Sequence, residues 1–127
     1  MDEPKFLTLD EIILLHEISL DEHGGADDIR DWGGFESAVA QPQNDYWYGH
    51  ADLFGIAAAY AYHIAEAQAF LDGNKRTAMS SALAFLELNG ISTTTNTFVL
   101  YDAMIAIATH DLDKPGLAAL LRKLFGK

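Results

Sequence analysis

Gln68-Ala69-Phe70-Leu71-Asp72-Gly73-Asn74-Lys75-Arg76-Thr77-Ala78 (QAFLDGNKRTA) decides how this chain is read. Lys75 and Arg76 are adjacent where a helix should begin, and the helix macrodipole disfavours cations there. A sequence that accepts that cost can offer the place to an anion. Gly73 lets the backbone turn tightly, so the amides of Gly73, Asn74, Lys75 and Arg76 would point into one concavity. Phosphate suits such a place. Asp72 precedes it, where a carboxylate can hold Mg²⁺ against the phosphate. On spacing alone, an ordinary loop–helix junction explains the stretch equally well, with Asp72 as cap and two solvated bases.

Outward from this turn the pattern is helical. A long alanine-rich helix is expected from about Asp52 to about Ala69, with Ala57, Ala58, Ala61 and Ala65 on or near one face. Small side chains let neighbouring helices come close, which places it at the centre. The next helix runs from Asn74 to Asn89 and stops at Gly90. Upstream, Thr8-Leu9-Asp10-Glu11 has the form of a capping box, followed by Ile12, Ile13 and His16 at helical spacing and a stop at Gly24-Gly25. A short helix is expected between Asp31 and Pro42. The stretch from Gln41 to His50, QPQNDYWYGH, carries turn signals and reads as a small hairpin or an ordered loop. Downstream, Thr97 to His110 reads as a helix with Val99, Ala103 and Ile107 inward. Pro115 suits the first turn of a last helix ending near Gly126. The expectation is an all-α, compact fold of about six helices in a single domain over 1–127, with at most a small β-hairpin.

Composition narrows the function. Half of the 127 residues are hydrophobic and 21% are charged, a globular balance. With no cysteine, disulfides, thiolate metal sites and cysteine nucleophiles are excluded. The net charge is −11, and residues 1–36 alone carry 11 acids against 2 bases. That balance argues against direct nucleic-acid binding. The opening residues lack a signal-peptide pattern, and the longest charge-free apolar run, Leu53 to Ala65, falls short of the ~20 residues that span a bilayer. No membrane partner and a cytoplasmic location are therefore expected.

The whole string from Gln68 to Ala78 resembles the signature of the Fic/Doc (Fido) superfamily, H-x-F-x-(D/E/N)-(G/A)-N-(G/K)-R. Lys75 and the following Thr77-Ala78 point to its death-on-curing (Doc) branch, the toxins of bacterial toxin–antitoxin pairs. FLTLDEIILLHE, WGGFESAVAQPQ and ALAFLELNG extend the likeness over nearly the whole chain. The resemblance implies an α-helical domain that moves part of a nucleoside triphosphate, ATP first, onto a protein hydroxyl with Mg²⁺. Many Fic proteins transfer AMP, and Doc toxins act as kinases on a translation elongation factor. By the same resemblance Phe70 anchors the loop, Asp72 meets the metal, and Gly73, Asn74, Lys75 and Arg76 bind phosphate. Asn44, Asp45, Tyr46, Trp47 and Tyr48 fall where the family has a flap that pairs with the target chain. Alternatively, Tyr46, Trp47 and Tyr48 pack over the edge of the core. The implied partners are an antitoxin and a protein substrate such as a translation factor.

One position departs from the pattern. Gln68 stands where the family has its catalytic His, and Ala69 follows where Pro is common. A general base contributes ~10²–10⁴-fold in rate, and an amide does not hold a proton near neutral pH. His63 lies five residues earlier and points away from Gln68 on a helix. His16, His23, His50 and His110 are read as structural or surface residues. The sequence therefore supports a transferase impaired at Gln68 or, alternatively, an inactive relative that serves as a binding module for an antitoxin or target.

Overall fold

Thr8 opens the first helix with both bonds of a capping box: its Oγ1 accepts from the amide of Glu11 at 3.1 Å, and Glu11 Oε1 accepts from the amide of Thr8 at 2.9 Å. The computed structural model describes residues 3–94 and 97–126. Six helices follow in order: α1 Leu9–His23, α2 Trp32–Gly49, α3 Leu53–Ala67, α4 Asn74–Leu88, α5 Thr97–Ala108 and α6 Lys114–Phe125. Among the described residues there is no strand; one isolated antiparallel bridge joins Ile29 and Phe70. The fold is all-α, as the sequence reading expects.

Helix α3 lies at the centre and packs against α2, α4, α5 and α6. Ile56, Ala57, Ala58, Ala59, Tyr60, Ala61, Ile64 and Ala65 are all buried. Alanines on several sides let the neighbours approach, and the large rings of Phe35, Tyr60, Phe70 and Phe85 fill the space between them. Burying one such side chain contributes roughly 1.5–3 kcal/mol. Tyr60 also fixes the N-terminal segment: its Oη accepts from the amide of Leu7 at 2.9 Å. Burial pushes the Tyr60 phenol up to about 12, so it stays neutral in this role.

The sequence reading stops α2 before Pro42 and makes 41–50 a hairpin or loop; the structure corrects both. Helix α2 runs through Pro42 to Gly49 and ends at His50 in the left-handed region. Proline removes one intrahelical bond, yet Val39, Pro42 and Tyr46 follow one face. Val39 and Pro42 are buried, and Tyr46 meets the edge of Phe6 with ring centroids 5.8 Å apart. The apolar contact outweighs the local turn signals. Trp47 also packs on Phe6 (6.2 Å) and donates to Glu3 Oε1 at 3.3 Å, whereas Tyr48 is exposed. Residues 44–48 therefore offer no strand edge.

Helix α5 carries a second correction. Its inward stripe is Leu100, Ala103, Met104 and Ile107, and Val99 lies on the outer side. Helix α6 starts with Pro115 in its first turn and is tied to α2 by Lys114, which donates to Asp45 Oδ2 at 2.7 Å. No helix among the described residues is long and apolar enough to cross a membrane.

Candidate functional site

Between α3 and α4 the chain turns sharply, and a cleft of ≈ 350 Å³ opens beside the turn. Its walls are Ala65 and Gln68 from the end of α3, residues 71–76, and Tyr101 and Ala108 from α5. Gln68 and Asp72 through Arg76 thus meet in one cleft. Phe70 lies beneath it, fully buried.

The turn is held from several sides. Gln68 closes α3 at φ 46°, ψ 42°, a left-handed conformation unusual for a residue with a Cβ. Its carbonyl accepts from Arg30 Nε at 3.1 Å. The amide of Arg30 donates to Ala69 O at 2.8 Å, and the amide of Leu71 donates to Asp28 O at 2.9 Å. The extended chain beside the loop is therefore 28–31, not 44–48. Asn74 spans the turn: its Oδ1 accepts from the amide of Phe70 at 3.0 Å, and its Nδ2 donates to Phe70 O at 2.9 Å. The side chain of this expected phosphate ligand is thus spent on the loop, which leaves its main-chain amide for an anion.

His16 supports the loop from α1. It is buried, stacks on Phe70 with centroids 3.8 Å apart, and donates from Nε2 to Asp72 O at 2.7 Å. Nothing near His16 in sequence signals this, because its partners lie more than fifty residues away. Gly73 sits at φ 82°, and a Cβ there would lie 3.5 Å from the His16 ring in a conformation that L side chains rarely adopt. Gly25 is tighter, for a Cβ would lie 3.0 Å from Asp72 Cβ.

The N-terminus of α4 differs from those of α1, α2, α3 and α6. Thr8, Asp31, Asp52 and Asp113 each cap a helix with a side-chain oxygen on a first-turn amide. Gly73 caps α4 with no side chain. Asp72, which the loop–helix reading makes the cap, points elsewhere: its Oδ2 accepts from the amide of Ala26 at 2.9 Å. The first amides of α4 and the positive end of its dipole therefore face the cleft uncovered.

The cations beside it are also unspent. Lys114 and Arg122 pair with Asp45 and Asp52, but among the described residues neither Lys75 nor Arg76 pairs with a carboxylate. Arg76 instead donates from Nε to Ser19 Oγ at 3.1 Å. That bond fixes the guanidinium plane, and among the described residues both terminal nitrogens have no partner.

Among the described residues, no histidine lines the cleft. His16 lies under the loop, and His63 accepts from Lys114 Nζ at 3.1 Å on the side of α3 that faces α6. Burial and the neighbouring Lys114 hold the His63 imidazole below its ordinary 6.5, an effect that Asp45 partly opposes. Among the described residues, no three of His, Asp and Glu gather as a metal cluster. The sequence reading missed Ser19, Tyr101 and Ala108, and it gave His16 as a structural or surface residue without its partners. Only the phase of α1 and α5 against the loop reveals them.

A family model described as Fic/DOC family matches residues 6–86. The chain is 32% identical over 123 residues to the protein kinase Doc of Escherichia phage P1, an alignment that covers 96% of this chain and 97% of that protein. It is 39% identical over 103 residues to the toxin Doc of Mycolicibacterium smegmatis, with 77% of this chain and 78% of that one covered.

Proposed function

The chain belongs to the Fic/DOC family, in its Doc-like branch, and on that premise we propose that it is a toxin-type protein that binds the phosphates of a nucleoside triphosphate at α4, with transfer to a protein hydroxyl impaired at Gln68. The observation that carries the proposal is the uncapped α4 N-terminus beside Lys75 and Arg76, two cations without a carboxylate partner among the described residues. Cations at a helix N-terminus oppose the helix dipole, a cost that a bound anion offsets.

The geometry supports the following roles. The first amides of α4 and the terminal nitrogens of Arg76 hold phosphate oxygens, and Lys75 adds charge. Phosphoryl transfer depends mainly on such positioning and charge stabilisation. Asp72 fits a Mg²⁺ ion, since Oδ2 is occupied by Ala26 and Oδ1 has no donor among the described residues. A single carboxylate suits Mg²⁺, which completes its shell with water and phosphate oxygens. When bound, that ion supplies charge neutralisation between phosphates. Gln68 accepts a hydrogen bond from the incoming hydroxyl and orients it, but takes no proton. By analogy with the relatives named toxin Doc and protein kinase Doc, the transferred group is a phosphoryl, the substrate is a protein and an antitoxin restrains the activity.

A second reading is favoured by one observation. Among the described residues, no histidine lines the cleft to replace the missing base, which fits a silent relative that binds an antitoxin or target.

Thermal unfolding with phosphate or Mg–ATP tests the site: both should raise Tm, and Arg76→Ala should abolish the shift. An unchanged Tm at millimolar ligand sinks the proposal. Expression without an antitoxin, as given and with Gln68→His, separates the readings. Toxicity arising only with His indicates a transferase scaffold that lost its base; toxicity in neither favours the binding role.

A further inference from the structure

A third cation stands at the other end of the loop. Arg30 donates from Nε to Gln68 O at 3.1 Å, and its terminal nitrogens have no partner among the described residues. No carboxylate among those residues pairs with it. Its acidic neighbour Asp31 is turned to α2, where Oδ1 accepts from the amide of Gly34 at 2.9 Å. Of the chain's 8 lysines and arginines, three thus gather on one turn: Lys75 and Arg76 where α4 begins, and Arg30 beside Gln68. One cleft takes in both Gln68 and the start of α4. It therefore offers positive charge where a donor phosphate sits and again where the attacking group must enter.

Gln68 decides which acceptor such a site can serve. A hydroxyl must shed its proton as it attacks, and Gln68 does not take it. A phosphate is already ionised near neutral pH, with a second pKa of ~6, and needs no base. We propose that the acceptor is a phosphate oxygen of a small anionic molecule, held at Gln68 by its side-chain amide and by Arg30. The inference rests on the phosphate reading above for the donor and concerns the acceptor alone. In the step, a lone pair on the acceptor oxygen forms the new bond to the γ-phosphorus of the triphosphate. The bond from that phosphorus to the β,γ-bridging oxygen breaks, and its electron pair leaves on the nucleoside diphosphate. No proton moves, nothing is oxidised or reduced, and the product is a phosphoanhydride. A protein carboxylate would also be ionised, but the net charge of −11 opposes the approach of an acidic protein surface and favours a small acceptor.

The experiment supplies the intact protein with Mg–ATP labelled in the γ-phosphate and one of four acceptors: inorganic phosphate, GDP, a Ser/Thr peptide or an Asp/Glu peptide. Label should pass to pyrophosphate or GTP in preference to either peptide, at a rate that is flat from pH 7 to 8.5. Labelled pyrophosphate marks free phosphate as the acceptor, and labelled GTP marks a nucleotide's terminal phosphate. Arg30→Gln should raise the acceptor KM ~10-fold and leave the KM for Mg–ATP unchanged. Arg30→Lys, which keeps the charge, should recover part of that loss. Arg76→Ala should raise the KM for Mg–ATP, which also ties the activity to this protein. The proposal is overturned if either peptide is the better acceptor, or if Arg30→Gln raises both KM values equally. If Mg–ATP raises Tm but neither phosphate acceptor is labelled, the acceptor fails while the donor site stands. If Mg–ATP does not bind, both fail.

Discussion

The imidazole of His16 lies flat on the ring of Phe70, with planes inclined by 13° and centroids 3.8 Å apart, and its Nε2 reaches past that ring to the carbonyl of Asp72. One side chain of α1 thus fixes both the buried anchor of the loop and the backbone at its exposed tip. The loop's shape is set by tertiary contact as much as by its own residues.

Removing that side chain should be felt at both ends. His16→Ala loses the stack, worth about 0.5–1.5 kcal/mol, and leaves a part-buried carbonyl unpaired, which costs about 1–3 kcal/mol. A loss of about 3 kcal/mol is expected in urea denaturation. His16→Phe restores the stack without the donor, so it should fall between wild type and His16→Ala. Equal stability of the Phe variant and wild type would show that the bond to Asp72 contributes nothing.

Asn74 makes a separable test. Asn74→Asp keeps the acceptor for the amide of Phe70 but cannot donate to Phe70 O. The orphaned carbonyl costs about 1–3 kcal/mol, and an acid in the first helical turn returns about 0.3–1 kcal/mol from the dipole. The lost bond wins, so a net loss of about 1 kcal/mol is expected. The added negative charge should also reduce the Tm shift given by phosphate. A variant as stable as wild type that keeps the full shift would contradict the bracing role.

Gln68 is held at positive φ without glycine's freedom. The left-handed region costs an L-residue about 1–2 kcal/mol, and glycine's looser unfolded chain returns part of any gain. Gln68→Gly should stabilise by about 0.5–1 kcal/mol. The bond from Arg30 reaches the backbone carbonyl and survives the change, so thermal unfolding reads the strain alone. Destabilisation would mean that the Gln68 side chain makes a contact that matters more than its backbone strain. The same strain bears on Gln68→His, since histidine is among the residues that enter this region more readily.

What the sequence made legible was local. The capping box at Thr8, the glycine turn at Gly73 and the alanine-rich α3 are short-range patterns, and each stands where the sequence reading puts it. Pro42 and Asn44-Asp45 mislead because they report only local cost, while Val39 and Tyr46 pack against residues distant in sequence. Val99 misleads for a different reason. Helix α5 is apolar on nearly every side, so periodicity cannot choose between a stripe through Val99 and one through Leu100. The site divides the same way. Asp72 to Arg76 are contiguous and readable, whereas His16 and Ser19 reach the loop and Arg76, and Tyr101 reaches the cleft, only through the packing of α1 and α5. Even Asn74 was legible in place but not in use, because an amide that braces a turn and one that binds an anion carry the same letter.

His63 gives the fold a pH dependence with a definite sign. It is part-buried between α3 and α6, where Lys114 donates to its Nε2 and Asp45 in turn accepts from Lys114. Burial and the Lys114 charge lower its pKa below 6.5, against the opposing pull of Asp45. Above about pH 6.5 the imidazole is neutral in both states and adds no penalty. As pH falls through that value the unfolded chain takes up the proton first, so stability declines until the folded imidazole titrates too. His63→Gln, which keeps an acceptor for Lys114 and cannot titrate, should lose less stability than wild type between pH 7.5 and 5.5 in urea denaturation. Carboxylates contribute equally to both proteins over that range and cancel in the comparison. Parallel pH profiles would show that the imidazole takes its proton as readily in the fold as outside it.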